Sequence, residues 1–228
     1  ASTEADAVTS ARPVEVAAQA KALAEPRVAA IIVTWNRHVA VDVVLQALAG
    51  QELTRGRLEV VVIDNGSTDG TVEFLLEKWQ PDTVVDNPTT GADQPMFRVE
   101  AASAGGSDAP RRAGFHSLTV IRNHHNLGGC GGFNTGLAYL ESHMDREDES
   151  LDYAWLVDDD VDLPRNALKQ LLSTAEKDPT IGLVGSRTVD FADRQTTIET
   201  TIYFDFDQGW MGPDPLPGHP QFASHQAW

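Results

Sequence analysis

The chain has 228 residues, of which 17 are basic and 34 are acidic, giving a formal net charge of −17. This length is sufficient for a buried core, and the acidic balance excludes nonspecific binding to nucleic acid or anionic lipid by the chain as a whole. No apolar run approaches the roughly 20 residues of a transmembrane helix, and the single cysteine, Cys130, excludes an intrachain disulfide.

Residues 1–26 are predicted to form a peripheral arm. They are rich in Ala and Glu and carry only a weak helical pattern, over residues 14–24. The basic-then-apolar order of a signal peptide is missing from this start. Together with the low cysteine content, this favours a cytoplasmic location.

The folded pattern begins at "RVAAIIVTWN", where the continuous apolar run Val28–Val33 predicts a strand buried on both faces. "HVAVDVVLQALAG" predicts a helix that ends at Gly50. A second strand, "LEVVVID", leads into a second helix, "NGSTDGTVEFLLEKW", with Ser67, Thr68 or Asp69 as its cap. This alternation predicts an α/β domain with a mostly parallel sheet, whose ligand site lies at the carboxyl ends of the strands.

The middle of the chain, residues 81–115, is rich in Pro, Gly, Ala and Ser and is interpreted as a flexible insertion. "SLTVIRN" then predicts a strand, and "HHNLGGCGGFNTGLAYLESH" a glycine-rich turn that enters a helix. "YAWLV" predicts another buried strand, followed by a helix in "LPRNALKQLLSTAEKD". "TIGLVGSRTVDF" and "TTIETTIYFDF" predict further strands.

Three consecutive aspartates follow the strand "YAWLV" directly. Asp158 and Asp160 flank one residue, so in an extended or turning segment both carboxylates can reach one side and share a hard divalent cation. Such a cation relieves their mutual repulsion, and Mg²⁺ or Mn²⁺ holding a diphosphate fits oxygen ligands best. The alternative is that one acid caps a helix while the others are solvated.

The glycine cluster after the third strand does not match a dinucleotide-binding fingerprint. Counting from Gly129 and Gly131, the position that requires the third glycine holds Asn134. No lysine follows, so the cluster is not a phosphate-binding loop of the GxxxxGK type either. We expect the glycines to let the backbone approach a ligand or the sheet closely.

Other reactive or aromatic side chains have simpler explanations than a catalytic role. His124 and His125 are adjacent in a strand-like segment, so at most one of them faces any one site. Cys130 has no evident base beside it that would activate it as a nucleophile. Three tryptophans are most simply interpreted as core or packing residues: Trp35, Trp79 and Trp155.

Four motifs, in chain order, carry a family resemblance: "AAIIVTWNR", "VVVIDNGSTDGT", "NLGGCGGFNTG" and "WLVDDDVDLPRNAL". Together they resemble family 2 glycosyltransferases of the GT-A fold, an α/β fold with a Rossmann-like, mostly parallel sheet flanked by helices. Within that family the chain is most similar to bacterial galactofuranosyltransferases and rhamnosyltransferases. The resemblance covers residues 27–191, and the four motifs are far more specific jointly than singly.

The resemblance implies a nucleotide-sugar site. It implies that the segment after the first strand, with Thr34, Asn36 and Arg37, lines the nucleotide pocket. It implies that Asp64 and Asn65, at the end of the second strand, contact the base or the ribose.

The resemblance also implies a metal site in the triple aspartate. Asp158 and Asp160 correspond to the Asp-x-Asp motif that binds Mn²⁺ or Mg²⁺ and through it the donor diphosphate. Asp158 and Asp159 also belong to the implied nucleotide-sugar contacts, with Asp159 beside the ribose or the donor sugar.

The implied reaction is metal-dependent, inverting transfer of a sugar from a nucleotide-diphosphate donor to a glycan or glycolipid acceptor of the cell envelope. The implied donors are UDP-galactofuranose and dTDP-rhamnose. No nucleic-acid partner is expected. A longer protein of this kind that acts on a lipid-linked acceptor is expected at the inner face of the cell membrane, as a peripherally associated enzyme.

The catalytic base of the family is not evident in this chain. It normally follows the metal motif as part of an acidic pair, and here only isolated acids are available by default: Asp190, Asp205 and Asp207. We therefore expect residues 27–208 to form a donor-binding GT-A domain and residues 209–228 to begin an acceptor region that is cut short. The alternatives are a noncatalytic or truncated donor-binding module and a sugar-phosphate nucleotidyltransferase. The second of these should carry a basic, glycine-rich signature after its first strand, and the segment found there, "TWNRHVAV", does not provide one.

Overall fold

The computed structural model describes residues 25–89, 94–100, 114–144, 150–199, 203–205 and 210–212. The predicted arm helix over residues 14–24 and most of the predicted tail lie outside these residues. The chain divides into two compact units, residues 1–169 and residues 170–228. Within the described ranges, no helix is long and apolar enough to cross a membrane.

The first unit is built on a six-stranded sheet with the strand order β4-β3-β5-β2-β1-β6. Every neighbouring pair is parallel except β3 and β4, which are antiparallel. The strands are β1 (Arg27–Thr34), β2 (Arg57–Asp64), β3 (Thr83–Asn87), β4 (Arg98–Glu100), β5 (Ser117–Asn123) and β6 (Tyr153–Asp158). The predicted α/β architecture with a mostly parallel sheet is confirmed.

Helices alternate with these strands. They are α1 (His38–Ala49), α2 (Thr71–Phe74), α3 (Gly128–Tyr139) and α4 (Ala167–Ala175), and wide π-helical turns extend α2 over Leu75–Trp79 and α3 over Leu140–Met144. Helix α1 ends as predicted at Gly50, whose N–H donates to the carbonyls of Gln46 and Ala47. The N-cap of the second helix is Gly70, and none of the predicted caps, Ser67, Thr68 or Asp69, occupies that position. Asp69 precedes the cap and accepts a hydrogen bond from the Thr71 N–H at 3.0 Å.

Three expectations about these elements are wrong. Residues 81–115 contain strands β3 and β4, which are too short to produce a clear apolar pattern. The glycine cluster lies inside helix α3 and does not form a turn before it. "YAWLV" is an edge strand: β6 pairs with β1 alone in the described sheet, and only Val157 of its residues is buried.

The second unit contains two small antiparallel pairs. Strand β7 (Thr188–Val189) pairs with β8 (Thr197–Glu199), and β9 (Tyr203–Asp205) pairs with β10 (Trp210–Gly212). The strand predicted in "TIGLVGSRTVDF" forms only over Thr188–Val189, since Gly182 and Gly185 weaken the strand pattern before it. Among the described residues of "TTIETTIYFDF", strands form over Thr197–Glu199 and Tyr203–Asp205.

Helix α3 packs unusually close to strand β1, because two glycines one turn apart face the strand. A Cβ atom on Gly132 would lie 2.5 Å from Cγ1 of Val33, and one on Gly136 would lie 2.5 Å from Cγ2 of Ile31. Ile31 is fully buried and belongs to the core cluster on this side of the sheet. The expectation that the glycines permit close approach is thus confirmed for the sheet.

We predict that Gly136→Ala destabilises the protein by about 1–3 kcal/mol. The added methyl group would overlap the side chain of Ile31, which is fully buried and has no room to move away. Urea unfolding measures the change. Gly129→Ala is the matched control: it lies in the same helix, a Cβ there meets no atom within 4 Å, and alanine favours helix by up to about 1 kcal/mol. Equal effects of the two substitutions would contradict the packing argument.

Candidate active site

The predicted site residues come from three separate segments, and the sheet brings them to one edge. In the strand register Thr34 lies beside Asp64, and Val33 lies beside Asp158. Because β1, β2 and β6 are parallel, their carboxyl ends meet at this edge. The register therefore places the polar clusters after these strands at one edge of the sheet, as predicted.

Asp159 is the buried member of the triple aspartate, with 7% of its surface exposed. Its Oδ2 accepts a hydrogen bond from the Thr34 hydroxyl at 2.7 Å, and its Oδ1 accepts one from Arg37 Nη1 at 3.1 Å. This carboxylate therefore fastens the end of β6 to the end of β1. The Thr34 side chain, 1% exposed, is fully engaged in that contact.

Arg37 supplies the positive charge of this acidic edge. The same Nη1 that contacts Asp159 also lies 2.8 Å from Oδ2 of Asp160. Its hydrogen bond to Asp160, followed by the charge of Asp159, raises the pKa of the Arg37 guanidinium, which therefore stays charged. The guanidinium is about half exposed, so a ligand anion can also approach it.

The outer two aspartates are the candidates for metal binding. Asp158 is exposed and has no hydrogen-bond or ion-pair partner in the described part of the chain, while Asp160 has 60% of its side chain exposed and one oxygen on Arg37. Carboxylate oxygens suit Mg²⁺ and Mn²⁺. Among the described residues no group of three or more His, Cys, Asp or Glu side chains is arranged to hold a metal ion. A cation bound by these two carboxylates would have to complete its coordination with ligand oxygens and water.

Asp64 is a buried carboxylate with one unused oxygen. It is 2% exposed, its Oδ2 accepts a hydrogen bond from the Ser67 N–H at 3.0 Å, and its Oδ1 is buried without a partner among the described residues. Burial, partly offset by the hydrogen bonds from Ser67, raises the pKa of Asp64. A buried acceptor without a partner destabilises the folded state unless a donor is supplied.

Asn36 ties the first loop of the site to the second. Its φ of 54° lies in the left-handed region, which asparagine tolerates better than most residues. Its backbone N–H donates to the Ser67 hydroxyl at 2.9 Å, and its side-chain Oδ1 accepts from the Thr68 N–H at 2.7 Å. The predicted contact of Asn36 with a nucleotide remains a prediction, since its described contacts are within the protein.

Asn65 is also engaged within the protein. Its Nδ2 donates to Asn126 Oδ1 and to the Gly128 carbonyl, both at 3.0 Å. Its Oδ1 accepts from Asn123 Nδ2 at 3.0 Å and from the Leu127 N–H at 3.1 Å. Both amide protons and both acceptor positions are used, so any contact of this side chain with a nucleotide requires one of these bonds to break.

Sequence reasoning missed part of this edge. Trp35, interpreted from the sequence as a core or packing residue, is 50% exposed, because it follows the last residue of β1 and leaves the sheet there. Asn123 was not recognised as part of the site. The available signal was that "VIDN", "VVDN" and "VIRN" each place an asparagine at the end of an apolar strand.

Of the acids considered as the catalytic base, Asp190 has a described side chain. It lies in the second unit, where its Oδ1 accepts hydrogen bonds from the N–H groups of Ala192 and Asp193 at 2.8 and 2.9 Å. That pattern is typical of an aspartate that closes its own turn. The side chain of Asp205 and the whole of Asp207 lie outside the described residues.

Comparison with protein families gives a match over most of the chain. The model of "Glycosyl transferase family 2" matches residues 29–89 and 107–221, which is most of the chain. Among curated proteins no significant match was found.

Solved structures also show similarity to this chain. The mannosyltransferase PcManGT from Pyrobaculum calidifontis, in complex with GDP-Man and Mn²⁺, is 22% identical, with a TM-score of 0.46 over 70% of this chain and 35% of that chain. S. aureus TarS is 20% identical, with a TM-score of 0.42 over 66% of this chain and 20% of that chain. A shorter TarS, 1-349, in complex with UDP, is also 20% identical, with a TM-score of 0.42 over 66% of this chain and 32% of that chain. The chain therefore spans about a third or less of the length of these structures.

We predict that Asp64→Asn raises the melting temperature at neutral pH, because it removes a desolvated charge. The raised pKa means that the native state holds this proton more tightly than the unfolded state, so the contribution of Asp64 to stability is fully present below pH 3.8 and is lost as the pH rises through the folded-state pKa. The gain from the substitution should be largest at pH 7 and shrink toward pH 3.8. Thermal melts across this range measure it, and a gain independent of pH would contradict the assignment to Asp64 ionisation.

Proposed function

This chain belongs to glycosyl transferase family 2, and from that premise we propose that it is the donor-binding part of a metal-dependent, inverting glycosyltransferase. The observation that carries the proposal is the edge formed by β1, β2 and β6. Exposed carboxylates, a charged guanidinium and a buried carboxylate with an unused oxygen lie there side by side. Ligands of parallel α/β sheets bind at this edge.

Each part of a nucleotide-diphosphate sugar has a suitable partner in this edge. The unused Oδ1 of Asp64 suits a ring N–H of a base or a ribose hydroxyl, either of which would satisfy it. The Arg37 guanidinium suits a diphosphate oxygen. Asp159 is held by hydrogen bonds from Thr34 and Arg37. In the proposed site it would lie beside the ribose or the donor sugar.

Asp158 and Asp160 would hold a Mg²⁺ or Mn²⁺ ion. When bound, such an ion supplies positive charge that stabilises the departing nucleotide diphosphate. The chain's own contribution is to present two carboxylates on either side of an immobilised one, since Asp159 is fixed by its two hydrogen bonds. Arg37 also donates a hydrogen bond to the carboxylate of Asp160 and so holds it in place.

The proposed reaction transfers a sugar with inversion at its anomeric carbon. The bond from that carbon to the diphosphate oxygen breaks, a bond to an acceptor hydroxyl oxygen forms, and the hydroxyl proton passes to a carboxylate base. That base is left unassigned.

We propose UDP-galactofuranose or dTDP-rhamnose as the donor and a cell-envelope glycan or glycolipid as the acceptor. Support for the galactofuranose donor comes from the combination of "NLGGCGGFNTG" with a triple aspartate, which resembles galactofuranosyltransferases. Support for the rhamnose donor comes from the resemblance of the four motifs together to rhamnosyltransferases. A place at the inner face of the cell membrane follows if the acceptor is lipid-linked.

A noncatalytic donor-binding module is the second candidate. The observation that favours it is the use of Asp190, the one candidate base whose side chain is described, in its own turn. Incubation of the chain with each donor, Mn²⁺ and a glycan acceptor distinguishes the two: nucleotide diphosphate released in step with glycosylated acceptor identifies an enzyme, and donor binding without release identifies a binding module.

We predict that UDP or dTDP with Mn²⁺ raises the melting temperature of the chain, because ligands that bind only the folded state stabilise it. Replacement of either outer aspartate, Asp158→Asn or Asp160→Asn, should weaken Mn²⁺-dependent binding at least about tenfold, since a carboxylate hydrogen-bonded or ion-paired to a charged group contributes roughly 1.5–3 kcal/mol. Isothermal titration with and without Mn²⁺ measures both effects.

The matched control for these variants is Glu77→Gln. It removes one exposed carboxylate from the π-helical turn after α2 and changes the net charge equally. Binding should be unaffected. Melting curves that do not move with UDP, dTDP or GDP, with or without Mn²⁺, would refute the proposed function.

A further inference from the structure

Three neighbouring strands of the sheet end on asparagine. Asn87 is the last residue of β3, Asn123 is the last residue of β5, and Asn65 follows the last residue of β2. Asn87 and Asn123 are register partners, and Arg122 is the register partner of Asp64, so all three asparagines lie at one level. Their exposed fractions are 0%, 3% and 2%.

The three side chains form one continuous chain of hydrogen bonds, which we call the asparagine ladder (Asn87, Asn123, Asn65). Asn87 Nδ2 donates to Asn123 Oδ1 at 2.8 Å, and Asn123 Nδ2 donates to Asn65 Oδ1 at 3.0 Å. Asn65 Nδ2 then donates to the Gly128 carbonyl at 3.0 Å. The ladder therefore runs from the end of β3 to the first residue of helix α3.

Backbone groups fix the direction of this ladder. Asn87 Oδ1 accepts from the Met96 N–H at 3.1 Å, and Asn65 Oδ1 accepts from the Leu127 N–H at 3.1 Å. Backbone N–H groups can only donate, so the oxygen of each of these two amides must lie where it does. Asn123, between them, must accept from Asn87 and donate to Asn65, and no amide can flip without breaking a bond.

Buried amides at this place have a cost that apolar residues would not have. A buried amide that loses its partner costs about 1–3 kcal/mol, whereas replacement of both partners by apolar groups of similar shape can be neutral. What the ladder adds is a fixed position for Asn65 and for the Leu127–Gly128 peptide. Both adjoin the proposed nucleotide pocket, and Asn65 directly follows Asp64.

We propose that Asn87 and Asn123 are positioning residues of the donor site. They do not contact the donor; they hold Asn65, and through it Asp64 and the start of α3, in the geometry that binds the nucleotide. This inference rests on the proposed donor binding. It adds two residues, one of them two strands away from Asp64, on which the affinity for the nucleotide depends.

The test measures the Kd for UDP and for dTDP with Mn²⁺ by isothermal titration, together with the melting temperature. Asn123→Leu and Asn87→Leu should raise the Kd of the nucleotide that wild type binds about tenfold or more, which corresponds to the loss of one well-placed hydrogen bond to the site. The matched control is Val85→Ala, a fully buried residue of the same strand as Asn87 that lies outside the ladder. It should lower the melting temperature and leave the Kd within twofold of wild type.

A gentler variant, Asn87→Asp, keeps the shape of the side chain and removes only its donor. At pH 8 its carboxylate faces Asn123 Oδ1 without a proton, so the Kd should exceed that of wild type about tenfold. At pH 5 a buried carboxyl group at this place is protonated to a greater extent and can donate again. The ratio of the two Kd values at the same pH should therefore fall toward one, a change that a purely structural role would not produce.

The outcomes separate the two claims. If wild type binds neither UDP nor dTDP, the proposed function fails and this inference fails with it. If wild type binds and the three ladder variants bind equally well, or if Val85→Ala weakens binding as much as they do, only this inference is overturned. Weakened binding in the ladder variants alone, reversed for Asn87→Asp at low pH, supports it.

Discussion

The hydrogen bond between the Thr34 hydroxyl and Asp159 is the interaction on which the candidate site depends. Strand β6 lies at the edge of the sheet and buries only Val157, so apolar packing does little to fix its end. The buried 2.7 Å bond to Thr34, together with the contact from Arg37, does fix it. The positions of Asp158 and Asp160 follow, because each is one residue away from an anchored carboxylate.

An acidic site in a chain with a net charge of −17 needs local compensation. Arg37 provides it for the triple aspartate by contacting two of the three carboxylates. Asp64 has no cation among its recorded contacts and remains a buried acceptor with a raised pKa. Such a group lowers the stability of the ligand-free protein. It also favours the binding of a ligand that supplies a hydrogen-bond donor, which is a common relation between stability and function at binding sites.

The carboxyl edge of the sheet is ordered from two sides. Glycines 132 and 136 let helix α3 approach β1 closely, and the asparagine ladder fixes the start of the same helix relative to β2, β5 and β3. Close packing and directional hydrogen bonds thus act on one element. Under the proposed function, this arrangement would hold the donor rigidly while a bond at its sugar is exchanged.

The sequence by itself determined the central strands and their order of alternation with helices, because β1 and β2 have continuous apolar runs of the kind expected for strands covered on both faces of a parallel sheet. It also predicted metal binding by the triple aspartate, because that motif is local in the chain, and this role stays a prediction. It did not reveal β3 and β4, which are too short for periodicity, or the edge position of β6 and the exposure of Trp35. The hydrogen-bond partners of Arg37, Asn65 and Asn123 were decided by the tertiary structure alone. The partners that join the strand ends lie 36 to 123 residues away in the chain, and no pattern within one segment records which strand ends become neighbours in the sheet.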